Sequence, residues 1–231
     1  MSKKLAIITG ASRGIGRETA KIIANNNIHV VIIARTLSSL EELHDEILMT
    51  SGSCTIVQAD ICDSNGILEI ANEVKKRWGK LEYLISCAGY LHNLTPISHI
   101  DENEWTKGFN INVLGVWRLI KNFESLLFRS HQGRALFLSP DLNTLNKNFW
   151  GGYSSSNSAL NSLIKVWSAE ISHTTTKANI FVPKPTKTAL RKTAYPGENN
   201  KNLSEPNEVA YEILKVLKDN FYENGKTIFM K

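Results

Sequence analysis

Three glycines lie close together near the start of the sequence, directly after a short apolar run. Residues 9–16 read T-G-A-S-R-G-I-G, with glycine at positions 10, 14 and 16. Glycines so placed allow a tight turn, a close approach of the backbone to a pyrophosphate, and a helix N-terminus whose free N–H groups face the anion. The spacing G-x-x-x-G-x-G is not the commoner G-x-G-x-x-G. Because apolar residues 5–8 precede it and the amphipathic segment 16–25 follows, it predicts a dinucleotide-binding turn.

Such a turn needs a strand before it and a helix after it, and the same alternation continues along the chain. Largely apolar runs lie at residues 5–8, 29–34, 54–59, 81–86, 134–138, 179–182 and 227–230. Segments with helical periodicity lie between them at residues 37–49, 66–78, 105–128, 153–172 and 205–219. Strand alternating with helix predicts an α/β fold of Rossmann type, a doubly wound parallel sheet of about seven strands with helices on both faces.

The bulk composition is that of one ordinary globular domain. The chain has 231 residues, of which 42% are hydrophobic and 21% charged, enough for one sizeable core. No repeat or low-complexity linker divides it, so residues 1–231 are expected to form a single domain. Apolar runs stay far shorter than the roughly 18 residues of a membrane span, and no leader segment is visible, so we expect a cytoplasmic protein without membrane contact.

Charge and cysteine usage exclude several other classes of function. The net charge of +5 is spread along the chain with no long basic run, which favours solvated helix faces over a nucleic-acid partner. A narrower alternative is that cations gather near a cofactor or substrate phosphate. The three cysteines have no C-x-x-C spacing, so we expect reduced thiols and no metal site.

One long stretch, residues 184–204, has no clear periodicity. It follows Pro183, contains Pro185 and Pro196, and carries five cations against two carboxylates at its edge. A long loop after a late strand of such a sheet is typical of a lid over the substrate. The alternative is a merely flexible surface loop.

Five motifs in order resemble those of the short-chain dehydrogenase/reductase family. They are T-G-A-S-R-G-I-G at 9–16, Asp60-Ile61, Ser86-Cys87-Ala88-Gly89, Asn112-Val113-Leu114-Gly115 and Tyr153. The match runs from about residue 3 to the last predicted strand. The resemblance implies a nicotinamide cofactor across the carboxyl ends of the strands and hydride transfer to or from a carbonyl or alcohol substrate.

The resemblance also implies which residues contact the cofactor. Asp60 and Ile61 would hold the adenine, and Thr188 would meet the nicotinamide carboxamide. The full expected set is Gly10, Ser12, Arg13, Gly14, Ile15, Gly16, Arg35, Asp60, Ile61, Cys87, Ala88, Gly89, Asn157, Pro183 and Thr188.

The residue at the end of the second strand indicates which nicotinamide cofactor is preferred. An NAD-specific enzyme usually places an acidic residue there, whereas this chain has Arg35. Arg35 and Arg13 can converge on a 2′-phosphate, for which the planar guanidinium is well suited. We therefore expect NADP(H) to be preferred, with NAD(H) possible. The alternative is that Arg35 simply points into solvent.

The resemblance assigns catalysis to a tyrosine, a lysine four residues later, a serine thirteen residues earlier and an asparagine. Tyr153 and Asn112 are in place, but Asn157 stands at the lysine position and Pro140 at the serine position. Ser139 is one residue away and would reach the site only through a kink or bulge. We take Tyr153, Asn112 and Ser139 as the catalytic candidates. The alternatives are that Ser139 and Asn112 are ordinary structural polar residues.

The loss of the lysine bears directly on the chemistry. A phenol with a pKa of about 10 is phenolate in only about one molecule in a thousand at pH 7. Reduction, which needs the neutral phenol, should therefore survive better than oxidation. Lys147 and Lys184 lie in loops and could fold inward, although nothing in the sequence demands it.

These observations support two main functions. The first is a slow or altered NADP(H)-dependent oxidoreductase, and the second is a catalytically inactive dinucleotide-binding sensor or partner subunit. A third, nucleic-acid binding, is supported only by the net charge.

The helix starting at Tyr153 is apolar around most of its circumference between residues 160 and 167, so we expect a homodimer or homotetramer. Core burial alone explains part of that pattern.

Overall fold

A seven-stranded sheet forms the centre of the protein, as seen in a computed structural model that describes residues 3–218 and 220–231. Within these residues the strand order is β3-β2-β1-β4-β5-β6-β7, and every pair is parallel. The strands are β1 Lys4–Thr9, β2 Ile28–Ala34, β3 Cys54–Gln58, β4 Tyr83–Ser86, β5 Arg134–Leu138, β6 Lys177–Val182 and β7 Thr227–Phe229. The order reverses between β1 and β4, so the predicted doubly wound Rossmann-type sheet is confirmed.

Helices cover both faces of the sheet. Helices α3, α5 and α6 pack on one face, and α1, α2 and α8 pack on the other. Their bounds are α1 Gly14–Ala24, α2 Leu37–Met49, α3 Ser64–Arg77, α4 Glu102–Phe109, α5 Val116–Phe128, α6 Gly151–Glu170, α7 Ala189–Ala194 and α8 Pro206–Val216. None of the helices in residues 3–218 and 220–231 has the length and apolarity needed to cross a bilayer.

The largest departure from the predicted helices lies in residues 105–128, where one continuous helix was expected. Helices α4 and α5 occupy this region and are joined by a π-helical turn, Asn110–Gly115. The wider turn adds a residue that a 3.6-residue period does not anticipate. It places Gly115 against Ile61, where a Cβ would lie 2.7 Å from the isoleucine Cδ1.

The other predicted elements differ from the observed ones mainly at their ends. Helix α8 stops at Val216 instead of continuing to Asp219, and Asp219 itself lies outside the described residues, as do Met1 and Ser2. Helix α4 begins at Glu102, three residues before its predicted start, and the remaining ends shift by no more than two residues, which is the usual uncertainty at helix and strand termini.

The stretch 184–204 is more ordered than its lack of periodicity predicted. It contains the short helix α7 and a 3₁₀ turn at Asn200–Asn202. Thr188 begins α7 by accepting a hydrogen bond at Oγ1 from the Arg191 N–H (3.1 Å), a cap that threonine makes well. A bridge between Thr186 and Ser204 brings the two ends of the segment together. The short helix could not be seen in the sequence because six helical residues are too few to show a period, and the role of the segment as a lid stays a prediction.

Gly10 occupies a position where a side chain would be strained and would also overlap its neighbours. Its φ is +69°, and a Cβ would lie 2.7 Å from the Ala88 backbone nitrogen. Gly79 has φ +73° but would meet nothing within 4 Å. We expect both alanine variants to lose about 1 kcal/mol from the positive φ. Gly10→Ala should lose about 1–3 kcal/mol more through the overlap.

Urea unfolding of the two variants measures this difference directly, because Gly79→Ala carries the same backbone strain without the overlap. Equal losses of unfolding free energy would contradict the prediction. They would mean that the turn moves away from Ala88 at no cost.

Candidate functional site

A cavity of about 800 Å³ lies at the carboxyl ends of the strands. It extends from the glycine turn to the first turn of α6 and to the segment 184–204. All eighteen predicted site residues line it: Gly10, Ser12, Arg13, Gly14, Ile15, Gly16, Arg35, Asp60, Ile61, Cys87, Ala88, Gly89, Asn112, Ser139, Tyr153, Asn157, Pro183 and Thr188. They meet because the loops that follow parallel strands emerge at one edge of the sheet. Their individual roles stay predictions.

Contacts within the protein, as well as the space needed for a ligand, determine which residues fit in the glycine turn. A Cβ on Gly16 would lie 2.3 Å from the Gly10 carbonyl oxygen, and one on Gly14 would lie 3.2 Å from the Thr188 Cγ2. Glycines 10 and 16 are thus required by contacts within the chain, a reason that differs from the predicted approach to a pyrophosphate. Helix α1 follows the turn, and its N-cap residue Arg13 makes no side-chain capping bond. The first N–H groups of this eleven-residue helix therefore remain available to an anion.

Two arginines lie at the glycine-turn end of the cavity. Arg13 is exposed, and its guanidinium has no hydrogen bond or ion pair with the described part of the chain. The Arg35 side chain is 64% exposed, with Nη1 3.9 Å from Asp60 Oδ2. Arg17, by contrast, donates to the Ser39 carbonyl (3.1 Å) and pairs with a helix α2 carboxylate. Arg13 and Arg35 thus have few partners within the protein, and their guanidinium groups have the chemistry to bind a phosphate.

Tyr153 lies in the first turn of α6 at the opposite end of the cavity. Its ring meets the ring of Trp150 edge-on, with 5.9 Å between centroids. Burial raises the pKa of the Tyr153 phenol to about 12, and the nearby Tyr195 adds to the increase. The phenol is therefore neutral at pH 7 and can donate a proton.

Asn157 lies one helical turn after Tyr153 and is only 4% exposed. Its Nδ2 donates to the Tyr153 backbone carbonyl at 2.8 Å. The amide is thus engaged on its own helix, and it brings no charge to the phenol.

Asn112 lies in the π-helical turn and joins three parts of the site. Its Oδ1 accepts from the Tyr90 N–H at 2.8 Å, while its Nδ2 donates to the Tyr90 carbonyl (2.9 Å) and to Ser156 Oγ (3.0 Å). These bonds hold the segment after β4 against α6. Asn112 therefore has a structural role, and a catalytic role would be additional to it.

Ser139 and Pro140 both line the cavity although they are neighbours in the chain. Strand β5 ends at Leu138, and Ser139 makes one more backbone bond, from its N–H to the Phe181 carbonyl (3.0 Å). Pro140 has no N–H with which to continue the ladder, so the alternation of faces stops here. The Ser139 hydroxyl donates to the Pro140 carbonyl at 3.4 Å, which is long for a hydrogen bond between oxygens.

Comparison with known proteins gives this architecture a family. A family model described as short chain dehydrogenase matches residues 4–199. The chain belongs to the short-chain dehydrogenase family. A curated relative, the uncharacterized oxidoreductase YciK of Escherichia coli, is 26% identical over 212 residues, covering 90% of this chain and 84% of its own.

Solved structures of other short-chain dehydrogenases superpose closely on this one. One from Salmonella enterica serovar Typhi has a TM-score of 0.94 at 24% identity, with coverage of 99% of this chain and 96% of that chain. One from Shigella flexneri, described as complexed with NADP, has a TM-score of 0.91 at 25% identity, with coverage of 99% and 97%. The predicted family and fold are both confirmed.

Two of the five cations in the segment 184–204 of this short-chain dehydrogenase are engaged in ion pairs. Lys187 forms an ion pair with Glu205, and Arg191 donates two hydrogen bonds to Glu198, of 2.7 and 2.5 Å. Two of the five cations are therefore neutralised by neighbouring carboxylates. A substrate anion gains little from them.

An aromatic and aliphatic cluster around Tyr153 was not expected from the sequence. Leu145, Trp150 and Ala194 form its buried part, and Tyr195 packs against it with its ring centroid 5.4 Å from that of Trp150. Lys147 folds over this cluster and donates to the Tyr195 hydroxyl at 3.1 Å. These residues lie in segments without periodicity, and only the density of aromatic residues near Tyr153 could have indicated them.

The three cysteines of this short-chain dehydrogenase are unpaired in the structure. Burial raises the pKa of the Cys87 thiol, in the cavity wall, to about 12. Cys87 is therefore a protonated wall residue at neutral pH and not a nucleophile.

Proposed function

We propose that this protein is an NADP(H)-dependent short-chain reductase that acts slowly on carbonyl compounds. The observation that carries the proposal is the continuous cavity. It joins an uncapped helix N-terminus flanked by Arg13 and Arg35 to the neutral phenol of Tyr153. The NADP complex of the Shigella flexneri relative supports the same cofactor.

In this proposal each end of the cavity has a distinct task. The N–H groups at the start of α1 hold the pyrophosphate, and Arg13 and Arg35 hold the 2′-phosphate. NADPH, when bound, supplies the hydride. Tyr153 donates its phenolic proton to the substrate carbonyl oxygen, and Ser139 donates a hydrogen bond to that same oxygen.

The altered catalytic set makes the reaction slow and favours one direction. Pro140 and Asn157 stand where the family resemblance places a serine and a lysine. The Asn157 amide is bound to the Tyr153 carbonyl and carries no charge, so it does not stabilise the phenolate as a lysine there would. Reduction uses the phenol in the form that predominates at pH 7, whereas oxidation needs the rare phenolate.

A second function is favoured by the same Asn157 contact. A member of the family that binds NADP(H) without turnover would act as a sensor or as the partner of an active subunit.

In either role we propose a homodimer or homotetramer, since Trp117 and Val166 on α5 and α6 are 42% and 56% exposed. Sedimentation as a monomer at micromolar concentration would contradict the oligomer.

Calorimetric titration with NADPH and NADH tests the cofactor assignment. We expect NADPH to bind more tightly, and Arg35→Asp to weaken NADPH binding by about 10–100-fold. The variant removes a charge-assisted hydrogen bond and places a carboxylate next to the 2′-phosphate. NADH has no such phosphate, so its affinity should not fall.

Arg77→Asp is the matched control, since it makes the same charge change at the end of α3, outside the cavity. It should leave the NADPH affinity unchanged. An Arg35→Asp protein that binds NADPH as tightly as the parent would refute the assigned role of Arg35.

A further inference from the structure

The two ends of the cavity differ in chemistry. The glycine-turn end carries Arg13 and Arg35, while the Tyr153 end is enclosed by the cluster of Leu145, Trp150, Ala194 and Tyr195. In that cluster Leu145, Trp150 and Ala194 are 4, 5 and 7% exposed. A substrate whose carbonyl reaches Tyr153 therefore places its substituents beside this apolar cluster.

The cations near this wall are engaged with other groups. Lys147 Nζ donates to the Tyr195 hydroxyl and lies 5.5 and 5.3 Å from the ring centroids of Trp150 and Tyr195. Arg191 is held by Glu198 and lies 3.8 Å from the Tyr195 ring centroid. Lys184 also lines the cavity, but it is exposed, so solvent screens its charge.

A carboxylate lies in the wall near the same end. Asp141 follows Pro140, lines the cavity, and accepts a hydrogen bond at Oδ1 from the Asn143 N–H (3.0 Å). A second carboxylate brought in by a substrate would be repelled by it.

Resting on the proposed function, we propose that the substrate is a neutral carbonyl compound with an aromatic or similarly bulky apolar group. That group packs against Trp150, Leu145 and Tyr195 while the carbonyl oxygen meets Tyr153. The Asp141 carboxylate disfavours the binding of keto acids. The phosphates that the cavity recognises are those of the cofactor alone.

Three small ketones separate these features. Acetophenone carries a neutral aryl group, acetone lacks it, and benzoylformate replaces the methyl group of acetophenone with a carboxylate. We expect calorimetry to show acetophenone binding at least roughly tenfold more tightly than either of the others, because the ring buries apolar surface and the carboxylate loses its hydration.

The titrations are made with and without saturating NADPH, since the wall is part of the protein and not of the cofactor. Failure to bind NADPH together with a retained preference for acetophenone would refute the proposed function and leave the substrate class standing. Benzoylformate binding as tightly as acetophenone, or acetophenone no tighter than acetone, would overturn the substrate class even with NADPH bound.

Two variants locate the preference in the wall. Asp141→Asn keeps an acceptor for the Asn143 N–H and should narrow the acetophenone-to-benzoylformate ratio several-fold, whereas Glu73→Gln on α3 removes an equal charge far from the cavity and should not. Leu145→Ala should weaken acetophenone more than acetone, with urea unfolding used to confirm that the variant is folded. Unchanged ratios in both wall variants would overturn the proposal.

Discussion

Tyr153→Phe is expected to lower the rate of carbonyl reduction by about 10²–10⁴-fold, the usual contribution of a positioned general acid. The substitution removes one hydroxyl and keeps the ring that packs edge-on against Trp150. The fold and the NADPH affinity should therefore change little. Loss of NADPH absorbance with acetophenone measures the rate, and calorimetry measures the affinity.

Tyr211→Phe is the matched control for this variant. Tyr211 lies on α8, is 55% exposed and does not line the cavity, so removal of its hydroxyl should leave the rate unchanged. A Tyr153→Phe protein as fast as the parent would mean that another group donates the proton. A parent protein that binds NADPH but reduces no carbonyl in a broad panel would favour the sensor.

Asn157→Lys is expected to give the second large effect, and it acts through the pKa of Tyr153. Burial holds that pKa at about 12, so the phenolate is scarce at pH 7. A lysine one helical turn away places a positive charge on the same face and lowers the pKa toward its usual value of about 10. Alcohol oxidation at pH 7 should rise by about 100-fold, in proportion to the phenolate fraction.

The same prediction fixes how the rates of oxidation and reduction should change with pH. Oxidation uses the deprotonated phenol, so its rate in the parent should rise about tenfold for each pH unit up to the pKa near 12. In Asn157→Lys the rise should level off at a lower pH. Reduction uses the protonated phenol, which predominates at every pH below the pKa, so the parent's reduction rate should lose nothing from Tyr153 between pH 6 and about 10.

Asn157→Gln serves as the uncharged control, because it lengthens the side chain without adding a cation. Urea unfolding checks that the buried lysine is tolerated, and Pro140→Ser can be added to restore the second missing group. A folded Asn157→Lys protein that binds NADPH but keeps the parent's pH profile would contradict the assigned effect on Tyr153.

The sheet and its helices could be predicted because their signals are periodic and repeated. Apolar runs such as residues 134–138 match β5 from end to end, and residues 37–49 match α2. The π-helical turn Asn110–Gly115 could not be predicted, since one additional residue within a helix gives no periodic signal, and neither could the bonds from Asn112 to Tyr90 and Ser156. Side-chain bonds between distant segments leave no trace in local periodicity.

The candidate site also has one part that could be predicted from the sequence and one part that could not. The cofactor end could be predicted because glycines and the residues that follow strands have fixed spacings. The cluster around Trp150 and Tyr195 could not, because it joins residue 145 to residue 195 through contacts between two irregular segments. The ion pairs of Lys187 and Arg191 could not be predicted for a related reason, since they depend on the folded shape of the segment 184–204.

The bridge between Thr186 and Ser204 has a consequence for how this protein can change over time. Ser204 donates to the Pro185 carbonyl (2.9 Å) and Lys187 donates to the Ser204 carbonyl (3.0 Å), so the chain leaves and rejoins the body of the protein at one point. The residues between these two points form a loop that is closed at its base, and such loops tolerate replacement and insertion. Tyr195 and its neighbours can thus be exchanged to alter the wall beside Tyr153, provided that the replacement keeps Thr188, which begins α7 and packs beside Gly14.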